Sequence, residues 1–239
     1  MKSPPNQPPR LTFLTILLTA SMLPLAAAEP GKTLTIGLIG DSTVASTYGW
    51  GPAFAGNVSE ETVVRNVAKN GATSASLSET LDELLKEKPD YVLIQFGHND
   101  QKRYGTEVYR ANLRSYVERI REAGGKAVIL SSVTRRNFNK DGSIQPRTEL
   151  EPGTPLHGDL KAFGEAAEAV AKEMTVPFID LYSISVAHHQ KLGPEASAAY
   201  NFKEGDVTHF SEEGAEAIAS LVIAELKTAV PSLAPSLTK

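Results

Sequence analysis

The order of hydrophobic and polar positions along the chain predicts five short strands and a set of helices between them. The strand segments are compact apolar runs without regular polar alternation, so we expect them to be buried on both faces. They lie at residues 33–40, 62–66, 91–96, 126–132 and 176–181. Apolar side chains recur at helical spacing in residues 76–87, 107–123, 156–174 and 211–230.

Alternation of strands with helices is typical of an α/β protein whose parallel sheet lies between two layers of helices. We therefore predict a three-layer α/β/α sandwich with a five-stranded parallel sheet in flavodoxin-like order. In such sheets, ligands bind beyond the carboxyl ends of the strands, at the switch point between strands one and three. Functional residues are therefore expected just after these strand ends.

The amino-terminal segment has a different pattern. Lys2 and Arg10 precede a mostly apolar run at 11–25, and three alanines follow at 26–28. This order predicts a secretory signal peptide at 1–28, then one domain at 29–230 and a disordered tail at 231–239. A retained membrane anchor is the alternative, but the apolar run is short for a span. We expect a secreted or periplasmic protein without stable membrane association after cleavage.

Composition narrows the class of protein. The 239 residues are 41% hydrophobic, which suits one domain with a sizeable core. The formal net charge of −4 argues against a nucleic-acid partner. Because the chain has no cysteine, disulfides, thiolate nucleophiles and thiolate metal sites are excluded. We expect a monomer that uses neither metal nor cofactor.

Four polar motifs follow predicted strands or precede the last predicted helix. They read GDST at 40–43, NGATS at 70–74, GHND at 97–100 and DVTH at 206–209. The predicted topology brings these four segments to one rim of the sheet. Each motif alone has a structural interpretation as a turn or a cap. Together they supply the residue types that acyl transfer needs.

Ser42 is the predicted nucleophile, because a tight turn after strand one would expose its hydroxyl. A serine hydroxyl needs a base to remove its proton, and His209 can do this because imidazole titrates near neutral pH. Asp206 lies three residues earlier, where it can orient the imidazole through Nδ1. Attack creates an oxyanion, for which the backbone N–H groups of Ser42 and Gly71 and the side-chain amide of Asn99 are predicted donors.

Four further residues are candidates for substrate binding. Arg135 and Arg136 directly follow strand four, and the planar guanidinium matches a carboxylate such as that of galacturonate. Trp50 follows the nucleophile motif within Gly-Trp-Gly, and His98 lies within the third motif. Pairing of the arginines with acidic side chains, or packing of them on the surface, is the alternative interpretation. His188 and His189 are expected on a surface loop.

The four ordered motifs resemble those of the SGNH, or GDSL-like, hydrolase superfamily, and they extend over nearly the whole predicted domain. The resemblance implies a metal-free α/β/α esterase with serine, glycine and asparagine as oxyanion donors. The segments IQFGHND, VTRRNF and THFSEEGA are similar to the rhamnogalacturonan acetylesterase branch. That branch usually continues the glycine motif with Arg-Ser, whereas this chain has Ala72-Thr73. The first motif ends in Thr43 rather than Leu, as is common in this branch.

The predicted function is therefore removal of O-acetyl groups from an acetylated polysaccharide or oligosaccharide, in particular a pectic polymer. An esterase for small or lipid esters is a second interpretation, although the polar segment 137–154 offers no surface for long acyl chains. A carbohydrate-binding protein on a decayed hydrolase scaffold is a third. A nucleotide-binding protein is disfavoured, because no phosphate-binding glycine loop is present.

Overall fold

The computed structural model describes residue 1 and residues 33–239. Except for Met1, the predicted signal peptide and its cleavage site lie outside the described residues. The strands are β1 (Leu34–Gly40), β2 (Thr62–Asn66), β3 (Tyr91–Gln95), β4 (Lys126–Leu130), β5 (Glu149–Glu151), β6 (Thr154–Pro155) and β7 (Phe178–Ile179). The helices are α1 (Gly51–Ala55), α2 (Ser78–Lys86), α3 (Thr106–Glu122), α4 (Leu160–Met174), α5 (Leu181–Leu192), α6 (Pro194–Ser197) and α7 (Glu212–Ala229).

Five strands form one parallel sheet in the order β2-β1-β3-β4-β7. The predicted α/β class and flavodoxin-like strand order are therefore confirmed. β1 lies between β2 and β3, and its last residue, Gly40, is in register with Gln95 at the end of β3. A Cβ at position 40 would approach the Gln95 carbonyl oxygen to 2.4 Å. Glycine therefore allows β1 and β3 to run close together up to the switch point.

Consecutive residues of the strands enter different hydrophobic layers. Leu38 packs with Phe54 of α1 and Val222 of α7, whereas the next residue, Ile39, packs with side chains of α2, α3 and α4. This follows from the two-residue period of a strand, which sends neighbouring side chains to opposite faces of a sheet. The strands lack polar alternation because both faces are covered.

Most predicted helices are present with small shifts at their ends. Ser211 caps α7 as predicted, since its Oγ accepts the Gly214 N–H at 3.2 Å. α4 begins four residues later than predicted, because Asp159 Oδ1 accepts the Ala162 N–H at 2.9 Å. The loop predicted for the paired histidines is wrong: they lie on α5, and His189 is fully buried.

The carboxyl-terminal segment also differs from its prediction as a disordered tail. Residues Pro231–Ser236 form a 3₁₀ helix, and Leu233 and Leu237 are buried in the same core as α7. The Thr238 N–H donates to the Asn57 carbonyl oxygen at 3.0 Å. Two leucines among small residues give only a weak local signal for ordered structure. They are buried because they pack into a core that only the folded domain provides.

Within residues 33–239, the helices are too short or too polar to cross a membrane.

Candidate active site

Three side chains from distant parts of the chain form a continuous hydrogen-bonded relay. Ser42 Oγ lies 2.9 Å from His209 Nε2, and His209 Nδ1 lies 2.9 Å from Asp206 Oδ2. A carboxylate only accepts hydrogen bonds, so Nδ1 carries the proton and Nε2 is left to accept from the serine hydroxyl. The three residues predicted to act together are thus in contact.

Asp206 is fixed by the turn that carries it. Its Oδ1 accepts the backbone N–H groups of Thr208 at 3.1 Å and His209 at 3.0 Å. Burial tends to raise the pKa of Asp206, but the hydrogen bonds from His209 and Thr208 outweigh it and hold that pKa below its usual range. At neutral pH the carboxylate is ionised and can stabilise a positive charge on His209.

A buried polar network holds the turn on which Ser42 lies. Asp41 Oδ1 accepts from the Thr43 hydroxyl at 2.7 Å, and Thr43 Oγ1 accepts from the side-chain amide of Gln95 at 2.6 Å. Gln95 in turn accepts the indole N–H of Trp50 at 2.9 Å. The prediction that Trp50 binds substrate is wrong: its side chain is 1% exposed and supports the nucleophile turn from the core.

Asp41 leads to a prediction about stability and pH. Burial raises the pKa of Asp41 to about 6 from its ordinary value of 3.8. The folded protein therefore binds this proton more tightly than the unfolded chain, and its stability falls as pH rises from about 4 through 6. At 1.36 kcal/mol per pKa unit, the fall amounts to about 3 kcal/mol.

An Asp41→Asn variant keeps an oxygen for Thr43 but has no proton to lose. We expect the difference in unfolding free energy, variant minus wild type, to grow by about 3 kcal/mol between pH 4 and pH 7. Urea denaturation of both proteins at four pH values measures this difference, in which contributions from other titrating groups cancel. If the unfolding free energies of the two proteins changed with pH by the same amount, the prediction would be contradicted.

The residues that carry the predicted oxyanion donors, Ser42, Gly71 and Asn99, line one cavity. The backbone N–H groups of Ser42 and Gly71 donate to no described residue, so both remain available. Gly71 has φ +74°, and a Cβ there would meet nothing within 4 Å. Glycine is therefore suited to this position by its left-handed backbone rather than by lack of space. Asn99 Nδ2 donates to the Ala72 carbonyl oxygen at 3.0 Å, which leaves one amide proton free.

A second buried carboxylate joins the two loops that carry these donors. Asp100 Oδ1 accepts from the backbone N–H and the hydroxyl of Ser74, at 2.9 and 2.7 Å, and its Oδ2 accepts the Gly97 N–H at 3.1 Å. Tyr104 also donates to Asp100 at 2.7 Å. The glycine motif and the asparagine motif are consequently held at a fixed separation.

His98 lies at the wall of the same cavity but is 1% exposed. Its Nε2 donates to the Val133 carbonyl oxygen at 2.9 Å. Burial and the nearby Arg135 hold the pKa of His98 well below its usual range, so the ring is neutral. Substrate binding by His98 stays a prediction; its visible role is to join the loop after β3 to the segment after β4.

Arg136 faces the loop of Asp206 and His209 rather than the cavity. Its Nη2 donates to the carbonyl oxygen of His209 at 2.5 Å and to that of Asp206 at 3.2 Å, while its Nε donates to Asn201 at 2.7 Å. Its guanidinium also stacks over Phe210. Arg136 is 4% exposed and does not line the cavity, so the prediction that it binds substrate is wrong; its Nη1 is buried and has no partner among the described residues.

Replacement of Arg136 is expected to disturb the position of His209. Arg136→Gln removes the side-chain donor to the Asp206 carbonyl oxygen and leaves the His209 carbonyl oxygen with the Phe202 N–H alone. We expect kcat to fall by about 10- to 100-fold, as small misplacements of reacting groups do. Arg136→Lys restores one donor and should recover part of the loss. Steady-state kinetics on acidic and neutral acetyl esters should show the same loss on both, since the side chain does not line the cavity. Wild-type kcat in Arg136→Gln would contradict this role.

The cavity has a volume of about 260 Å³, and most of the residues that line it have polar or charged side chains. Arg135 lines it as predicted. Residues that the sequence analysis did not single out also line it: Tyr48, Asn70, Lys102, Arg147 and Thr208. Lys102 follows Asn99 by three residues, so its position beside the third motif could have identified it as a candidate site residue. Arg147 lies far from every motif and had no such signal.

The chain belongs to the GDSL-like lipase/acylhydrolase family, whose model matches residues 38–217. Its similarity to the rhamnogalacturonan acetylesterase RhgT of Bacillus subtilis is 36% identity over 217 residues, or 80% of this chain and 88% of that protein. The rhamnogalacturonan acetylesterase of Emericella nidulans is 27% identical over 85% of this chain and 86% of its own.

Similarity to a solved structure agrees with the fold. The crystal structure of the YxiM protein of Bacillus subtilis superimposes with a TM-score of 0.68 at 23% identity. The alignment covers 82% of this chain but only 56% of YxiM, so this chain spans little more than half of that protein.

Proposed function

We propose that this protein is a carbohydrate O-acetylesterase that acts on acetylated pectic polysaccharide, with Ser42 as its nucleophile. The observation that carries the proposal is the unbroken relay from Ser42 through His209 to Asp206, which lies at a cavity lined mainly by residues with polar or charged side chains. The two rhamnogalacturonan acetylesterases to which the chain is similar support the choice of substrate.

In the first half of the reaction, His209 Nε2 takes the hydroxyl proton of Ser42 as Oγ attacks the acetyl carbonyl carbon. The carbonyl oxygen becomes an oxyanion, which accepts hydrogen bonds from the N–H groups of Ser42 and Gly71 and from Asn99. When the ester bond breaks, the imidazolium returns the proton to the sugar oxygen. The deacetylated sugar leaves as an alcohol, and the acetyl group stays on Ser42.

In the second half, His209 takes a proton from water, which attacks the acetyl-serine carbonyl carbon. The same donors hold the second oxyanion. Collapse of this intermediate breaks the bond to Ser42 Oγ, which recovers its proton from His209, and releases acetate. Asp206 remains ionised throughout and stabilises the imidazolium in both halves.

The lining of the cavity favours a short acyl group. Among the described residues that line the cavity there is no leucine, isoleucine, valine, methionine or phenylalanine to receive a long acyl chain. Burial of an alkyl chain gains about 0.8 kcal/mol per methylene only where apolar surface receives it. Acetyl esters should therefore be hydrolysed faster than octanoyl esters.

Acetate release from a panel of polymers tests the proposal. Acetylated rhamnogalacturonan, acetylated xylan and 4-nitrophenyl esters of acetate and octanoate are compared under one set of conditions. We expect acetylated rhamnogalacturonan to release acetate faster than acetylated xylan, and 4-nitrophenyl acetate to be hydrolysed faster than the octanoate. Preference for octanoate would favour the lipid-esterase interpretation, and binding of the polymers without acetate release would favour the carbohydrate-binding one.

Export is part of the same proposal, because a polymeric substrate lies outside the cell. The charged and apolar pattern of residues 1–28 supports it. Amino-terminal sequencing of protein recovered from the medium or the periplasm should begin at Glu29.

A further inference from the structure

A second cavity adjoins the active-site cavity and shares one residue with it. It has a volume of about 570 Å³, and we call it the aromatic groove, because Tyr48, Phe202 and Phe210 line it. Tyr48 also lines the active-site cavity, where its ring lies beside that of His209 with the ring centroids 5.1 Å apart. The aromatic groove therefore meets the catalytic residues at Tyr48.

Phe202 presents an aromatic surface that the fold leaves uncovered. The residue is 46% exposed, and its ring packs at a steep angle against that of Tyr48 with the centroids 4.6 Å apart. The Tyr48 hydroxyl has no hydrogen-bond partner in the described part of the chain, so it is available to a ligand. An exposed ring beside a hydroxyl suits a ligand that is apolar on one face and polar at its edge.

Backbone hydrogen bonds hold both rings at the segment that carries the catalytic histidine. The Phe202 N–H donates to the His209 carbonyl oxygen at 3.1 Å, and the Phe210 N–H donates to the Tyr48 carbonyl oxygen at 3.0 Å. Asn201 and Phe210 also form an antiparallel bridge. A surface that is already fixed loses little conformational entropy when a ligand binds to it. The groove is thus preformed at a constant position relative to His209.

The polar part of the aromatic groove is acidic. Glu212 and Glu216 of α7 line it, and none of the described residues that line it is cationic. Glu216 forms an ion pair with Lys239, whereas Glu212 has no ion-pair partner among residues 33–239. The Glu212 carboxylate would repel an acidic ligand, but it can accept hydrogen bonds from the hydroxyls of a neutral one. The charge of the groove therefore favours an uncharged, hydroxyl-rich ligand.

We propose that the aromatic groove is a subsite for a neutral sugar ring, next to the sugar that carries the acetyl ester, with the C–H face of the ring on Phe202. This inference rests on the proposed esterase function. A pyranose ring has a face of C–H groups and hydroxyls around its edge. Phe202 can bury that face, while Glu212 and the Tyr48 hydroxyl bind the edge. Such a contact lies away from the reacting bond and favours a sugar chain over a small acetyl ester.

Substrates that differ by one sugar test the groove. An acetylated monosaccharide glycoside is compared with two disaccharides that carry a neutral sugar on one or the other side of the same acetylated unit. For the wild type we expect kcat/KM to be about tenfold higher for one of the disaccharides, the effect of covering one face of an aromatic ring. Equal kcat/KM for all three substrates would overturn the proposal.

Phe202→Ala should lower the disaccharide-to-monosaccharide ratio of kcat/KM by about tenfold. Because Phe202 is half exposed, its truncation leaves no cavity in the core. Phe202→Trp keeps a flat aromatic face and should retain the ratio. Val108→Ala is the matched control, since Val108 is 47% exposed and lines neither cavity. If Phe202→Ala lost activity by the same factor on both substrates, Phe202 would only position Tyr48 and His209, and the proposal would be wrong.

The preference for a neutral ring is tested with a uronate in place of the neighbouring sugar. This disaccharide is assayed as the free acid and as its methyl ester. The wild type should prefer the methyl ester by about two- to fivefold, as an exposed charge repulsion allows, and added salt should reduce the preference. Glu212→Gln should abolish it, whereas Glu213→Gln, an exposed neighbour that does not line the groove, should not. Wild-type preference for the free acid would overturn the assignment to a neutral sugar.

The same substrates separate this proposal from the proposed function. If the wild type hydrolyses the monosaccharide and both disaccharides equally well, the groove binds no sugar while the esterase function stands. If it hydrolyses no acetyl ester, the function fails, and calorimetric titration with the deacetylated neutral disaccharide still tests the groove. Phe202→Ala should then bind the disaccharide about tenfold more weakly than the wild type does. Equal affinity of the two proteins would contradict the subsite.

Discussion

Ser42→Ala is expected to lower kcat for acetyl ester hydrolysis by about four to six orders of magnitude while leaving the protein folded. The members of a serine relay act as a unit, so loss of the nucleophile removes nearly all of its contribution. Among the described residues, the only hydrogen-bond partner of Ser42 Oγ is His209, so the core should not change. Hydrolysis of 4-nitrophenyl acetate measures kcat, and circular dichroism checks the fold.

Ser46→Ala is the matched control for this variant. Ser46 lies on the same loop, is exposed and does not line the active-site cavity, so activity should be retained. A fluorophosphonate probe should label wild type and Ser46→Ala but not Ser42→Ala. A folded Ser42→Ala variant with more than about a tenth of wild-type kcat would exclude Ser42 as the nucleophile.

Asn99→Ala is expected to lower kcat by about 100- to 1000-fold, the usual loss when one oxyanion donor is removed. KM should change little, because the amide acts on charge that develops only in the transition state. Asn99→Asp separates the two functions of this side chain. It keeps an oxygen for Lys102 but removes the donor, so it should be as inactive as the alanine variant.

Asn139→Ala provides the control, because that exposed amide bonds within its own loop to Ser143. Single-turnover kinetics should place the loss caused by Asn99→Ala in the acylation step. If Asn99→Asp kept about a third of the wild-type kcat or more, the contact to Lys102 would be the important one, and Asn99 would not be an oxyanion donor.

The departure from the branch pattern at Ala72 can be interpreted from the fold. Ala72 is 5% exposed, packs in the core layer of α2 and α3, and offers its carbonyl oxygen to Asn99. The positive charges in the cavity come instead from Lys102, Arg135 and Arg147, which lie in three separate segments of the chain. An active site of this fold can thus take its charge from different loops around the same relay.

Much of this protein could be predicted from its sequence, because the relevant signals are local. A strand buried on both faces must be a short apolar run, which located β1 to β4 to within a few residues. Strand ends of a parallel sheet meet at one edge, so the motifs of Ser42, Asn99 and His209 could be brought together without coordinates. The cap at Ser211 followed from backbone donors that every helix start leaves unpaired.

The tertiary structure alone decided what neighbouring polar and apolar side chains do. Arg135 and Arg136 are identical and adjacent, yet one lines the cavity and the other holds the His209 loop. The difference arises because the Arg136 N–H is tied to the Val207 carbonyl oxygen, a contact about seventy residues distant in the chain. Trp50 lies in the core, and Leu233 is ordered, because each packs against apolar side chains from distant segments of the chain. Such burial depends on partners from distant segments, and no local pattern encodes their positions.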